Sequence, residues 1–144
     1  MTEHRQIGAL PIKVGDDGTP VVMLITSRRR GRWIIPKGWP LEGRSDAEVA
    51  GIEAWEEAGL IGVVEEEVFG RFAYLKDDDE GDRRQITVEV YRLVVRCEAD
   101  AWPESSERVR PWFTVDEAVV RLDDRELAEL IERERALLFR GLVA

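Results

Sequence analysis

A short strand, a glycine loop and a helix follow one another directly between residues 33 and 60, and this succession constrains the fold more than any other feature. The apolar run WIIPKG predicts a strand over residues 32–36, which ends at its proline and opens into a loop at Gly38. The S-x-x-E pattern that begins at Ser45 is a capping box. It predicts a helix over residues 45–58 that stops at the following glycine.

Three carboxylates lie on one face of that helix. Glu53, Glu56 and Glu57 stand at positions i, i+3 and i+4, which a turn of 3.6 residues brings together. Their mutual repulsion costs about 0.2–0.5 kcal/mol per pair, and a bound divalent cation would turn it into attraction. The pattern therefore indicates a metal site, while a solvated acidic face is the alternative interpretation, because helices are rich in glutamate.

The same residues resemble the signature of the Nudix hydrolases, GX5EX7REUXEEXGU, in which U is an aliphatic residue. The positions that match are Gly38, Glu53, Ala54, Glu56, Glu57, Gly59 and Leu60. Two positions depart, because Arg44 stands where the first glutamate is expected and Ile52 where the arginine is expected. In the family, those two side chains support the helix and the metal-binding glutamates electrostatically.

This resemblance implies a metal-dependent enzyme that cleaves a pyrophosphate bond, built as an α/β/α sandwich with a mixed β-sheet. It implies that Glu53, Glu56 and Glu57 are catalytic metal ligands, helped by the backbone carbonyl of Gly38. Mg²⁺ prefers oxygen ligands, so carboxylates and substrate phosphate form its natural shell, with Mn²⁺ as the alternative ion. Two such ions about 3.5–4 Å apart would hold the attacking and leaving oxygens together.

Two further segments resemble the branch of the family that hydrolyses diphosphoinositol polyphosphates and diadenosine polyphosphates. They are VVMLITSRRRGRWIIPKG and WPESSERVRPWFTVDEAVVRL. In that branch, basic residues around the strand before the signature and on later strands and loops hold the polyphosphate. By position, the residues expected to bind substrate are Ser27, Arg28, Arg32, Lys37 and Arg84, with Trp39 near the pocket and Arg108 and Arg110 as weaker candidates.

Several acids are candidates for the general base that activates the attacking water. One of the three helical glutamates can serve, and so can Glu89, which interrupts an apolar strand pattern. Strand alternation alone places Glu89 on the solvent face, so a catalytic and a surface role both stay open. The acids of residues 77–80 are a third source, with a solvated turn as the simpler interpretation.

Hydrophobic periodicity outlines the rest of the chain as a mixed sheet with helices on both faces. The predicted strands are 6–14, 20–28, one or two within 62–75, 86–95 and 111–114. One further helix is predicted to start at a second capping box, Thr114 with Glu117, and the final helix is predicted over residues 122–139. A stripe of alanines on the acidic helix predicts close packing on the sheet; its members are Ala47, Ala50, Ala54 and Ala58. Ile52 and Trp55 lie on another side, which predicts that other parts of the chain cover the back of this helix.

Composition bounds the remaining questions. With 144 residues and a hydrophobic content of 44%, the chain is expected to form one domain over residues 1–144. A net charge of −9 argues against general nucleic-acid binding, because a phosphate backbone needs a positive field. The single cysteine, Cys97, excludes an internal disulfide and is expected to lie buried on a strand. Neither a signal-peptide pattern nor an apolar run of about 20 residues is present, so a cytoplasmic monomer or homodimer without membrane contact is expected.

The functional hypothesis is a hydrolase acting on a small nucleoside or inositol polyphosphate. One alternative is an enzyme of the same family that acts on nucleoside triphosphates or nucleotide sugars. Another is a non-catalytic nucleotide sensor with the same fold, which the replacements at positions 44 and 52 favour. A purely structural protein ranks last, because it leaves the three glutamates unexplained.

Overall fold

The computed structural model describes residues 4–77 and 80–142. Within those residues the strands are β1 Arg5–Val14, β2 Pro20–Met23, β3 Ile25–Thr26, β4 Trp33–Ile34, β5 Lys37–Gly38, β6 Leu60–Val64, β7 Gly70–Asp77, β8 Arg83–Glu98 and β9 Trp112–Thr114. The helices are α1 Asp46–Ala58, α2 Val115–Arg121, α3 Arg125–Arg133 and α4 Arg135–Leu138.

Strands β1 and β8 form the centre of a mixed sheet. They pair in parallel, from Arg5 opposite Thr87 to Ile12 opposite Val94. The flanking strands β2, β5, β6, β7 and β9 all join this sheet by antiparallel pairing. The predicted mixed sheet is therefore confirmed.

Helices cover both faces of the sheet, because alternate strand residues point to opposite sides. On one face, α1 packs on Ile7, Tyr91 and Leu93 through its alanines. On the other face, the helices after β9 pack on residues such as Val88 and Val90. These two apolar layers confirm the predicted α/β/α sandwich.

Local sequence signals define α1 at both ends. The hydroxyl of Ser45 accepts the backbone N–H of Glu48 at 3.1 Å, and the Glu48 carboxylate accepts the backbone N–H of Ser45 at 3.1 Å. At the other end, Gly59 takes the left-handed conformation with φ of 66°, which glycine adopts without steric cost. The expected alanine stripe is buried. The expected cover over the back of the helix is wrong, since Trp55 is 36% exposed there.

Other element boundaries differ from the prediction. The predicted strand over residues 20–28 is interrupted at Leu24 and forms two strands with different partners, because β2 pairs with β1 and β9 whereas β3 pairs with β4. The predicted strand over residues 62–75 is two strands, β6 and β7, and the predicted final helix is two, α3 and α4, with Glu134 between them. Residues of β5, expected to be loop, pair with β1.

Cys97 lies on β8 as expected, but it is exposed, so its expected burial is wrong. It pairs with Ile61 of β6 near the edge of the sheet, and Ile61 is itself 53% exposed. None of the helices formed by the described residues combines the length and apolar character required to cross a membrane.

Candidate active site

A cavity of about 310 Å³ opens where β5 meets the second half of α1. Strand β7 and the loop before β9 complete its wall. The chemically active residues of its lining are Gln6, Arg28, Lys37, Gly38, Trp39, Glu53, Glu57, Tyr74, Lys76 and Arg108. The cavity therefore brings together acids from the signature helix with bases from four separate parts of the chain.

Gly38 allows β5 to approach α1 closely. A Cβ atom at this position would lie 2.2 Å from Oε1 of Glu53, so any larger residue would displace that carboxylate. The neighbouring Lys37 donates its backbone N–H to Oε1 of Glu57 at 3.3 Å. The lysine-glycine pair thus sets the positions of both acids.

Glu57 is a buried acid, with 8% of its surface exposed. Burial raises the pKa of its carboxyl group to about 8. The positive charge of Arg108 acts in the opposite direction, and the negative charge of Glu53 adds to the rise. Trp102 donates its indole N–H to the backbone carbonyl of Glu57 at 3.0 Å, which fixes the last turn of α1.

Glu53 and Glu57 lie one helical turn apart and both line the cavity, so their carboxyl groups influence each other's pKa. Burial also raises the pKa of Glu53, and the charges of Glu56 and Glu104 contribute to that rise. Two neighbouring carboxyl groups disfavour each other's ionisation, and a cation bound between them would relieve that repulsion. The donor set therefore fits a hard ion such as Mg²⁺.

The third predicted metal ligand lies apart from this pair. Glu56 is exposed and does not line the cavity. Across residues 4–77 and 80–142, no group of three or more histidine, cysteine, aspartate or glutamate side chains converges as a metal site. The cavity therefore brings together two of the three predicted carboxylates, while Glu56 lies on the exposed surface of the same helix.

Lys37 supplies a buried amine beside the two acids. Its Nζ lies 5.0 Å from the centre of the Tyr74 ring. Burial lowers the pKa of Lys37, and the charges of Asp124 and Glu57 oppose that change. Tyr74 donates its hydroxyl to Oε1 of Gln6 at 2.7 Å, and burial raises the pKa of this phenol to about 12, so it stays protonated near neutral pH.

Arg108 reaches the cavity from the loop before β9, and its side chain is 6% exposed. Its Nε and Nη2 donate to one oxygen of Glu104 at 3.0 and 2.8 Å, and its Nη1 donates to the carbonyl of Thr26 at 2.9 Å. Its Nη2 also lies 3.6 Å from Oε1 of Glu57. A guanidinium thus stands directly behind the acid pair.

A second, wider cavity of about 870 Å³ adjoins the first, because Arg28 and Lys76 line both. Ser27, Arg29 and Arg30 add to its basic wall, and the acids Asp77 and Glu107 lie at its edge. The two cavities form a continuous recess with the acid pair at one end and a cluster of arginines at the other.

Some predicted substrate-binding residues lie elsewhere or have structural contacts. Ser27 accepts the backbone N–H of Arg32 at 3.0 Å and thereby closes the arginine turn, while Arg32 points towards Asp123 at 3.7 Å. Arg84 pairs with Lys76 on the adjoining strand and lies outside the lining of both cavities. Arg110, a weaker candidate, donates to the carbonyls of Ala58 and Ala99 at the end of α1.

Glu89 is 15% exposed at its side chain, so its expected place on the solvent face is wrong. Strand alternation does operate, but the face in question is the one that α1 covers. Arg5 binds Glu89 at 2.6 Å and Asp46 of α1 at 2.8 Å, and Arg71 approaches Glu89 at 3.1 Å. Glu89 does not line the cavity, and its catalytic role stays a prediction.

Two acids of the charged turn, Asp77 and Glu80, do not line the first cavity. Asp77 accepts a hydrogen bond from Arg83 at 3.0 Å, and Glu80 is exposed. Asp78 and Asp79 are outside the described residues.

Sequence reasoning missed several residues of the site. Gln6 and Tyr74 lie on strands whose pattern indicated only sheet formation, Lys76 lies on β7 although a charged turn was predicted there, and Glu104 lies in the loop before β9. Nothing in their local sequence marks them, because they meet through strand pairing and loop packing across distances of tens of residues. Arg108 was a weak candidate for substrate binding, and its contact with Glu57 had no sequence signal.

Comparison with known proteins shows which family model and which curated proteins this chain matches. The family model described as NUDIX domain matches residues 3–133. Nudix hydrolase 18, mitochondrial, of Arabidopsis thaliana is 33% identical over 122 residues, which are 80% of this chain and 66% of that protein. Nudix hydrolase 21, chloroplastic, of the same plant is 30% identical over 137 residues, 90% of this chain and 65% of that protein. The chain thus spans just under two-thirds of the length of these curated relatives.

Solved structures share the fold at low sequence identity. A C. elegans Ap4A hydrolase in a binary complex superposes with a TM-score of 0.68 at 18% identity, covering 93% of this chain and 96% of that one. The NUDIX domain of Shewanella oneidensis NrtR, complexed with ADP ribose, gives a TM-score of 0.71 at 17% identity, covering 96% and 90%.

Proposed function

The chain belongs to the Nudix family, and from that membership we propose that it is a metal-dependent hydrolase of pyrophosphate bonds in a nucleoside or inositol polyphosphate. The observation that carries this proposal is the cavity that Glu53 and Glu57 line together with the basic residues Arg28 and Lys37. Acids that can hold a cation, next to basic residues that can hold phosphate, match the chemistry of phosphoanhydride cleavage.

The residues of the cavity divide the work. Glu53 and Glu57 would hold the divalent ion, with the Gly38 carbonyl and Glu56 as further oxygen donors, and such an ion would supply neutralisation of phosphate charge and activation of water. Lys37 is not needed as a ligand of the ion, and its ammonium binds a phosphate oxygen as a point charge. Arg28, at the junction of the two cavities, binds phosphate through its forked N–H groups.

The general base is assigned to the helical glutamates rather than to Glu89. Glu89 is held by Arg5 and Arg71 and lies outside the cavity lining, whereas Glu53 and Glu57 border the space that substrate would occupy. Trp39, 43% exposed at the mouth, offers a ring for stacking on a base or covering a sugar.

The recess favours a polyphosphate longer than a single pyrophosphate group. The arginines of the second cavity continue the positive wall beyond Arg28, so a chain of phosphates can extend along it. This supports diphosphoinositol or diadenosine polyphosphates as substrates. Nucleoside triphosphates and nucleotide sugars are the second candidate class, since the smaller cavity alone accommodates a pyrophosphate.

A substrate panel tests the proposal. The purified protein with Mg²⁺ or Mn²⁺ is incubated with a diadenosine polyphosphate, a diphosphoinositol polyphosphate, a nucleoside triphosphate and a nucleotide sugar, and products are separated by anion-exchange chromatography. We expect metal-dependent release of the products of phosphoanhydride cleavage, fastest with one of the first two. Binding of a nucleotide without turnover at saturating metal would identify the sensor alternative instead.

We propose further that the chain acts as one domain on a small molecule, without a nucleic-acid or membrane partner, in the cytoplasm. The seven-stranded sheet with a packed layer on each face supports one domain, and the net charge of −9 argues against a nucleic-acid partner. Size-exclusion chromatography with light scattering distinguishes a monomer from a homodimer.

A further inference from the structure

Helix α1 carries no internal counter-charge for its buried acid. Its 13 residues, DAEVAGIEAWEEA, contain no basic side chain. Position 52, where the signature has arginine, is Ile52, and this residue does not line the cavity. A buried carboxylate is costly unless other groups supply charge or hydrogen bonds, so Glu57 depends on residues outside the helix.

Arg108 stands where such a group is needed. Its Nη2 lies 3.6 Å from Oε1 of Glu57, and both side chains are nearly buried, with 6% and 10% exposed. Three of its five N–H groups are engaged by Glu104 and the Thr26 carbonyl, which fix the plane and direction of the guanidinium. The donors that remain lie on the terminal nitrogens, one of which is the nitrogen nearest Glu57.

The anchor of Arg108 is itself attached to α1. The backbone N–H of Glu104 donates to the carbonyl of Glu56 at 3.1 Å. The loop is therefore docked on the last turn of the helix, and the separation of Arg108 from Glu57 is set by protein contacts alone.

The negative charge of Glu104 balances the positive charge of Arg108. A bare guanidinium behind a metal ligand would repel the incoming cation as well as hold the ligand. Because Glu104 accepts two hydrogen bonds from Arg108, the pair is neutral overall and directs a donor at Glu57 without adding net positive charge. Such a neutral pair resembles the outer partners that orient metal ligands in other proteins.

We infer that Arg108, held by Glu104, is a positioning residue that orients Glu57 for the divalent cation and takes the place of the arginine absent at position 52. This inference rests on the proposed function. It assigns to Arg108 a role through Glu57, distinct from direct binding of substrate phosphate.

The test measures Mn²⁺ binding by titration calorimetry and by electron paramagnetic resonance, without substrate. R108Q is expected to weaken Mn²⁺ binding by about 10- to 100-fold, the usual effect of losing an outer partner of a ligand. R108K is expected to recover part of the loss, since it restores a donor but not the fork. E104Q should also weaken binding, and the double variant should be little worse than R108Q alone, because the two residues act as one unit.

Arg110→Gln is the matched control. Arg110 belongs to the same loop and is likewise anchored on α1, through the carbonyl of Ala58 at 2.9 Å, but it lies outside the cavity lining. We expect R110Q to lower the melting temperature while changing Mn²⁺ affinity by less than about twofold, as for an independent site. Circular dichroism confirms folding, and if R108Q does not fold, the comparison of R108K with R110Q decides.

Distinct results would overturn the inference. Unchanged Mn²⁺ affinity in folded R108Q or R108K would remove the positioning role while leaving the proposed function intact. A raised KM at saturating metal with unchanged Mn²⁺ affinity would make Arg108 a phosphate ligand instead. Absence of Mn²⁺ binding by the unaltered protein would overturn both this inference and the proposed function.

Discussion

The two halves of α1 are built from different kinds of interaction. The first half is held by neighbours in sequence, through the Ser45 and Glu48 capping box and the ion pair of Arg44 with Glu48, whose side chains are more than half exposed. The second half is held by the loop before β9, through buried contacts of Trp102 and Arg108. Solvated local contacts therefore start the helix, whereas buried contacts with a distant loop shift the pKa of its acids.

Glu57→Gln is expected to give the largest difference in activity between substitutions in the two halves of α1. Removing one charge of a buried ionic site costs on the order of 3–5 kcal/mol, so turnover should fall by at least about 100-fold. The matched change in the first half, E48Q, keeps a side chain that a capping box accepts and should retain activity. Hydrolysis of the best substrate from the panel measures the activity of both variants. Full activity in E57Q would show that the buried half of α1 does not carry the catalytic acid.

The pH dependence of stability gives the next largest effect. Because the pKa of Glu57 is raised to about 8 in the folded protein and is near 4.5 when unfolded, the folded state holds the extra proton between these values. Stability of the metal-free protein should therefore fall as pH rises from about 4.5 to about 8, by up to about 1.4 kcal/mol per pH unit.

Urea unfolding at several pH values measures this dependence in the presence of a chelator. E57Q should flatten the curve across that window, because its amide does not titrate. A curve of equal slope in E57Q would show that other groups are responsible, while E48Q serves as the control in the exposed half.

Gly38→Ala tests the close approach of β5 to the second half of α1. The added Cβ would lie 2.2 Å from Oε1 of Glu53, so the carboxylate must move, with a cost of about 1–3 kcal/mol and a loss of activity. G43A adds a Cβ with nothing within 4 Å, at a φ of 79°. It should lower stability through backbone strain yet retain activity, and equal activity loss in both variants would contradict the site.

Ser45→Ala should have the smallest effect. Loss of the N-cap costs about 1 kcal/mol, which corresponds to a fall of roughly 2–4 °C in Tm for a chain of this size. Since the cap lies at the opposite end of α1 from Glu57, kcat/KM should stay unchanged. A large loss of activity would mean that the two halves are coupled more tightly than their contacts indicate.

Features that depend on adjacent residues were predicted correctly. Both capping boxes, the glycine that ends α1 and the buried alanine stripe follow from local geometry and helical periodicity. Errors arose where distant segments compete. The strand predicted over residues 20–28 divides at Leu24 into β2 and β3, which pair with different strands, and Glu89 is covered by α1 although strand alternation indicated solvent.

The order of residues was enough to specify the helix, its three acids and the glycine before it, because each depends on spacings of a few residues. The environment of those acids came from packing. Glu57 is buried and faces Arg108 because a loop about fifty residues later folds over the end of α1, and burial and charge depend on every segment that surrounds a group. No local pattern encodes that arrangement, since it arises when the whole sheet brings β1, β5 and β7 to one side of the same cavity.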